Sequence, residues 1–154
     1  IKTFPQAHTF KRGLEEFQLI AKLNLEDRVR YLMGEFSEEF MRNLTNICDI
    51  YVAPSRGEGF GLPFVQAQMC SKPVISINAL SIRELIVHGK TGFLVHSQKK
   101  GEDYRADIYE LSSYLLRLIK NKSLREKMGK AGREHAIEIY SPSVIAKRLI
   151  ELIS

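Results

Sequence analysis

Cysteine is scarce in this chain of 154 residues, with only Cys48 and Cys70 present. They have no C-x-x-C spacing and are too few to staple a secreted domain. Both lie in apolar neighbourhoods, so buried reduced thiols and a cytoplasmic location are the expectation. Long apolar runs are missing as well. None approaches the roughly 18 residues of a spanning helix, and no secretory leader is read at the start. His8, His88, His96 and His135 show no ligand spacing and no paired carboxylate or thiol, so no metal site is expected. The basic clusters are small, Lys99-Lys100 and Lys120-Asn121-Lys122, and no aromatic residue is interleaved with them. That argues against nucleic acid as a partner. The net charge of +5 favours anionic contacts, either phosphorylated ligands or peripheral contact with an acidic membrane surface.

What is present is a chain with 44% hydrophobic residues, enough for one domain with a core. It opens on Ile1-Lys2-Thr3-Phe4-Pro5, an extended stretch that reads as the interior of a longer protein. Phe10, Leu14, Phe17 and Ala21 share one helical face up to Asn24, and Val29 to Gly34 then reads as a strand. Ser37 before Glu38 and Glu39 is a helix start, because a hydroxyl caps free amides and acids face the positive dipole end. Phe40, Leu44 and Ile47 are the expected inner face.

Asp49 to Ala53 is an apolar, β-rich run stopped by Pro54, the pattern of a strand covered on both faces. A helix follows from Pro63, with Phe64, Ala67 and Met69 inward. Val74 to Ile77 and Gly92 to Val95 are further strands. Such alternation predicts an α/β fold, an open parallel sheet sandwiched by helices. After Gly101 the pattern reads as wholly helical, with Ile108, Leu111, Leu115 and Leu118 on one face. Ser123 to Glu126 reads as a capping box, Gly129 or Gly132 as a weak point or end of that helix, and Ser141-Pro142 as a third start. Ile145, Leu149, Leu152 and Ile153 form its stripe.

Between the strand at Tyr51 and the helix at Pro63 lies Ser55-Arg56-Gly57-Glu58-Gly59-Phe60-Gly61-Leu62. In an open parallel sheet, ligands bind at the carboxyl ends of strands, and this loop has that place. Gly57, Gly59 and Gly61 permit unusual backbone angles and close approach, and their amides with the helix start suit phosphate oxygens. Glu58 among them suits sugar hydroxyls, since a carboxylate accepts several charge-assisted bonds. Gln66 is placed to point the same way.

Asp49 to Ser55, Glu58 to Ala67, Lys72-Pro73-Val74-Ile75, Glu84-Leu85-Ile86 and Gly89 to Val95 occur in an order and spacing that resemble the group 1 retaining glycosyltransferases of the GT-B fold. The resemblance implies that residues 1–154 are the carboxyl-terminal, donor-binding domain, Rossmann-like and truncated at its start, with a helical carboxyl-terminal region. It implies a nucleotide sugar, UDP- or GDP-linked, as donor substrate, no separate cofactor, and an amino-terminal acceptor domain of the same enzyme as partner. Glu58, the catalytic candidate, matches the glutamate that contacts the donor sugar. Gly59, Phe60, Gly61 and Leu62 match backbone contacts to sugar and phosphates, and Ser55 opens that loop. Gly34, Glu35 and Phe36 match the border of the nucleotide base. Gln66 stands where the family carries its second glutamate, which holds the ribose, and Ala79-Leu80-Ser81 stands where the family often has a glycine pair.

Gly89-Lys90-Thr91 lacks the earlier glycine of a P-loop and precedes a strand, so it reads as a turn. Glu84 reads as a helix-start acid. Two other readings stay open: a binding or regulatory module without catalysis, and a sugar phosphorylase on the same general fold.

Overall fold

The computed structural model describes residues 2–3, 17–101 and 103–153. It forms two compact units, Ile1–Met41 and Arg42–Ser154. Phe10 and Leu14 of the expected first helix lie outside the described residues.

In the first unit, β1 (Lys2–Thr3) pairs in parallel with β2 (Leu32–Met33), with Lys2 opposite Leu32. Residues 17–22 are helical (α1) and end in a turn where Asn24 takes φ 52°. Phe17 meets Tyr31 at 4.4 Å between ring centroids. Gly34 closes β2 at φ 118°, a region that glycine enters without a Cβ penalty. Helix α2 (Glu38–Ile47), whose first turn belongs to this unit and whose remainder belongs to the second, starts where the sequence places it, and the Phe40 amide donates to Ser37 Oγ at 3.2 Å. Its expected inner face does not form. No α2 residue is buried, Ile47 is 80% exposed, and Phe40 stacks on Phe36 instead.

In the second unit, β3 (Tyr51–Val52), β4 (Val74–Ile77) and β5 (Gly92–Val95) form a parallel sheet in that order. Tyr51 is in register with Val74, and Val74 with Gly92. The central strand β4 is buried throughout, as its four apolar or small residues require. β3 is shorter than expected and flanks this sheet, so Val52 is exposed rather than covered on both faces.

Around the sheet run α3 (Leu62–Met69), α4 (Ile82–Leu85), α5 (Ile108–Lys120), α6 (Lys122–Tyr140) and α7 (Pro142–Ile153). One core group joins Phe64, Ala67, Val74, Ile77, Ile82 and Ala136. The other joins Ile75, Phe93, Val95, Leu118 and Met128. The stripe expected on α7 is present but uncovered within the described residues, as Leu149, Leu152 and Ile153 are exposed.

Three expectations are corrected here. The stretch after Gly101 is not wholly helical: β6 (Ser97–Lys100) and β7 (Asp103–Ala106) form an antiparallel hairpin. The cap of α6 is Asn121, whose side-chain oxygen accepts from the Leu124 amide at 2.9 Å, and not Ser123. Gly129 and Gly132 neither weaken nor end α6; Gly132 is where it meets α3, and Gly129 where it meets the turn at Ser71 just after α3. A Cβ on Gly129 would collide with the Ser71 carbonyl, and one on Gly132 would press the Gln68 side chain at 3.3 Å. Close approach explains both glycines, and burial of Ala136 and Met128 on the same helix offsets their poor helix propensity.

Candidate functional site

The loop from Ala53 to Gly61 leaves the carboxyl end of β3 and enters α3. Its base is tied to the neighbouring strand, because Ala53 donates to the Ile75 carbonyl at 3.1 Å and accepts from Ser76 Oγ at 2.6 Å. Its middle is tied to the hairpin. Tyr104 donates its amide to the Arg56 carbonyl at 3.1 Å, and Arg56 faces Asp103 at 3.8 Å. This hairpin strand is not among the expected elements, although Asp103-Tyr104-Arg105-Ala106 alternates polar and apolar residues.

Of the three glycines expected to need unusual angles, only Gly61 does. It sits at φ 97°, ψ 42°, as the N-cap of α3, and a Cβ there would lie 2.8 Å from both Leu85 Cδ1 and Phe64 Cδ2. Gly57 and Gly59 have ordinary angles and open space on their Cβ side. Their contribution is therefore room above the main chain, while the turn itself belongs to Gly61.

No side chain caps α3, and Pro63 lies in its first turn with no N–H to place. The start of this helix consequently presents backbone amides and the positive dipole end on the site side of the sheet. Leu62 and Phe60 at this start are exposed, and Gln66 is exposed one turn further on. Ser55 and Glu58 are half-buried. Burial first, and the Glu58 carboxylate second, push the Tyr51 phenol above its ordinary range. Tyr51 in turn meets Phe64 edge-on at 5.7 Å, so the loop stands over the core.

Tyr140 was not singled out in the sequence. Its ring meets Phe60 edge-on at 5.8 Å, and its hydroxyl donates to the Glu84 carbonyl at 3.2 Å. Burial and the Glu84 carboxylate raise its phenol, against Arg148. A separation of eighty positions hides this pairing from any local pattern. Glu84 lies in the first turn of α4, as expected of a helix-start acid. At the end of β4, Leu80 takes φ 57° without being glycine. It packs against the core group of Phe64 and Ile82, which holds the strained angle in place.

Gly34, Glu35 and Phe36 belong to the first unit, where Phe36 is half-buried against Phe40 and Glu35 is exposed. Gly89 turns at φ 77° and the Val87 amide donates to Thr91 Oγ1 at 3.0 Å, so this segment is the expected turn. Cys48 and Cys70 are free and half-buried rather than buried, and burial raises the Cys48 thiol.

A cleft at the other end of the sheet is lined by Cys48, Asp49, Lys72, Lys122 and Arg125. Its cations are already committed: Arg125 to Asp49 at 3.5 Å, Lys122 to Glu126 at 3.7 Å, and Lys72 to the Asn46 carbonyl at 2.8 Å. The uncapped start of α3 is the better ligand site.

Comparison with known proteins bears on this arrangement. The chain is 34% identical over 104 residues to the capsular polysaccharide biosynthesis glycosyltransferase CapM of Staphylococcus aureus, covering 68% of this chain and 25% of that protein. It is 29% identical over 131 residues to N-acetyl-alpha-D-glucosaminyl L-malate synthase of Bacillus anthracis, covering 85% and 32%. The chain thus spans about a quarter to a third of the length of these relatives. Among solved structures, Anabaena HepE in complex with UDP superposes with a TM-score of 0.81 at 25% identity, covering 96% of this chain and 38% of that one. Sucrose-phosphate synthase from Thermosynechococcus elongatus gives 0.81 at 24% identity, covering 99% and 36%. The profile described as "Glycosyl transferases group 1" matches residues 12–135. With the parallel sheet, the glycine turn into α3 and the ordered motifs in place, the chain belongs to the group 1 glycosyltransferases.

Proposed function

We propose that this chain is the donor-binding part of a retaining glycosyltransferase that takes a sugar from a UDP- or GDP-linked donor. The observation that carries the reading is the loop itself: an uncapped helix start at Gly61 with half-buried Glu58 three residues before it. Phosphate oxygens suit the amides, and sugar hydroxyls suit the carboxylate.

In this reading Glu58 accepts hydrogen bonds from the donor sugar, and the amides from Gly59 to Leu62 face the sugar and diphosphate. Ser55 lines the entrance. The bond between the anomeric carbon and the diphosphate oxygen breaks, the electron pair leaves with the diphosphate, and the acceptor hydroxyl oxygen bonds to the same face of that carbon while its proton passes to the departing diphosphate oxygen. Oriented amides stabilise the charge that gathers on the leaving oxygen. Gln66 binds the ribose as a neutral partner, and Gly34, Glu35 and Phe36 border the base. An amino-terminal domain supplies the acceptor, and the enzyme works in the cytoplasm, a reading that the two free, half-buried thiols support.

The test is calorimetric titration of the complete protein with UDP-glucose and GDP-mannose, alongside product analysis. Glu58→Gln is expected to abolish transfer and weaken sugar-nucleotide binding more than binding of the free diphosphonucleotide. Equal binding and turnover by the variant would remove Glu58 from the site. Gln66→Glu tests the second reading, a non-catalytic module, which is favoured by the amide at this exposed position. A native protein with no turnover that gains it in Gln66→Glu would establish that reading.

A further inference from the structure

Helix α5 buries one face and leaves an apolar face outside. Leu118 is fully buried, and Leu111, Tyr114 and Leu115 pack with it against Ile75, Phe93 and Met128. On the opposite side Ile108 is 72% exposed, Tyr109 89%, Leu116 51% and Ile119 55%. At 100° per residue these four share one arc with Ser112, Ser113, Lys120 and Arg117. That arc holds no carboxylate.

The acids nearest to it in sequence are engaged elsewhere. Asp107 caps the helix by accepting from the Tyr109 and Glu110 amides at 2.9 and 3.0 Å. Glu110 accepts from the His96 amide and, at 2.9 Å, from the Tyr114 hydroxyl. Arg117 lies over the Phe93 ring at 5.4 Å, and Lys122 pairs with Glu126 at 3.7 Å. Lys120 pairs with no carboxylate among the described residues.

We infer that the outward face of α5 docks on an anionic lipid surface. A helix lying on the outside of a sheet offers a convex apolar ridge, which an interfacial lipid layer can receive. The helix has isoleucine and leucine to insert, a tyrosine and two serines for the headgroup level, and cations at its carboxyl end. Charge complementarity selects the lipid: the face bears cations without acids, within a chain of net charge +5. The donor-site reading plays no part in this inference.

The experiment is co-sedimentation of the complete protein with phosphatidylcholine vesicles, with and without phosphatidylglycerol, at low and high salt. Binding to the anionic vesicles is expected, on the order of tenfold weaker on neutral vesicles and weaker again in high salt. Ile108→Ser with Leu116→Ser, and separately Lys120→Glu, should each lower binding on the order of tenfold with an unchanged melting temperature, because all three side chains are outside the core. Should the double variant melt early, Tyr109→Ser carries the same comparison. Absence of binding to anionic vesicles, equal binding to neutral ones, or equal binding by the variants would overturn the inference. So would a dimer in sedimentation velocity that these substitutions dissolve, which would assign the face to a second copy.

Discussion

The Phe60 and Tyr140 rings meet edge-on, 5.8 Å between centroids and 80° between planes. This contact fastens the glycine loop to the end of α6, and the Tyr140 hydroxyl carries the fastening on to the Glu84 carbonyl at 3.2 Å. The loop is therefore held from two sides, by β4 and the hairpin on one and by α6 on the other.

Tyr140→Ala should cost about 2 kcal/mol, about 1 from the aromatic pair and about 1 from the hydrogen bond. Tyr140→Phe should lose only the second part. If the contact holds the loop in its binding shape, the alanine variant also raises KM for the donor with a smaller change in kcat. Equal melting temperatures for the two variants would show that the ring pair contributes nothing.

Gly61→Ala and Gly59→Ala separate strain from ligand approach. At Gly61 the positive φ and two contacts of 2.8 Å predict a loss of about 2 kcal/mol or more in stability. At Gly59 the open space predicts an unchanged melting temperature. Weaker donor binding by Gly59→Ala would then report a ligand passing over the main chain. Thermal melts and titrations on both variants check this.

Gly129→Ala should destabilise, although glycine to alanine within a helix ordinarily stabilises by about 1 kcal/mol. The added methyl would meet the Ser71 carbonyl, so a net loss of about 2 kcal/mol is expected. Urea unfolding decides the sign.

Alkaline stability should depend on Tyr51 and Tyr140. Both phenols are raised from 10.0 in the fold, chiefly by burial, so the fold holds their protons more tightly than the unfolded chain does. Their contribution is complete below pH 10.0 and is lost as pH rises through the raised values. Tyr51→Phe should flatten the fall of melting temperature above that pH, and Glu58→Gln should flatten it in part, since the Glu58 charge is the second cause.

Much of the second unit was legible because its signals are local. Val74 to Ile77 and Gly92 to Val95 are apolar runs of strand length, and both strands have those bounds. Ser141-Pro142 marks a helix start that is found in place, as does Ser37 in the first unit. The hairpin was missed because Lys99-Lys100-Gly101 looks like a solvated link and the alternation from Asp103 to Ala106 is short, while Tyr104 and Ala106 pack on the core in the fold. Ser123 competed with Asn121 for one cap, and a capping motif alone does not say which residue has the extended angles that the role needs.

By itself the sequence determined the order of β3, β4, β5 and the helices around them, the place of the glycine loop before α3, and Glu58 as its carboxylate. Those are properties of neighbours along the chain, fixed by periodicity, turn residues and side-chain chemistry. Only the tertiary structure decided that Gly61 is the one of the loop's three glycines with a positive φ, that Gly129 and Gly132 are contact points instead of breaks, and that Tyr140 and the hairpin hold the loop. Each depends on how closely segments far apart in the chain approach one another, and that distance is set by packing of the whole core.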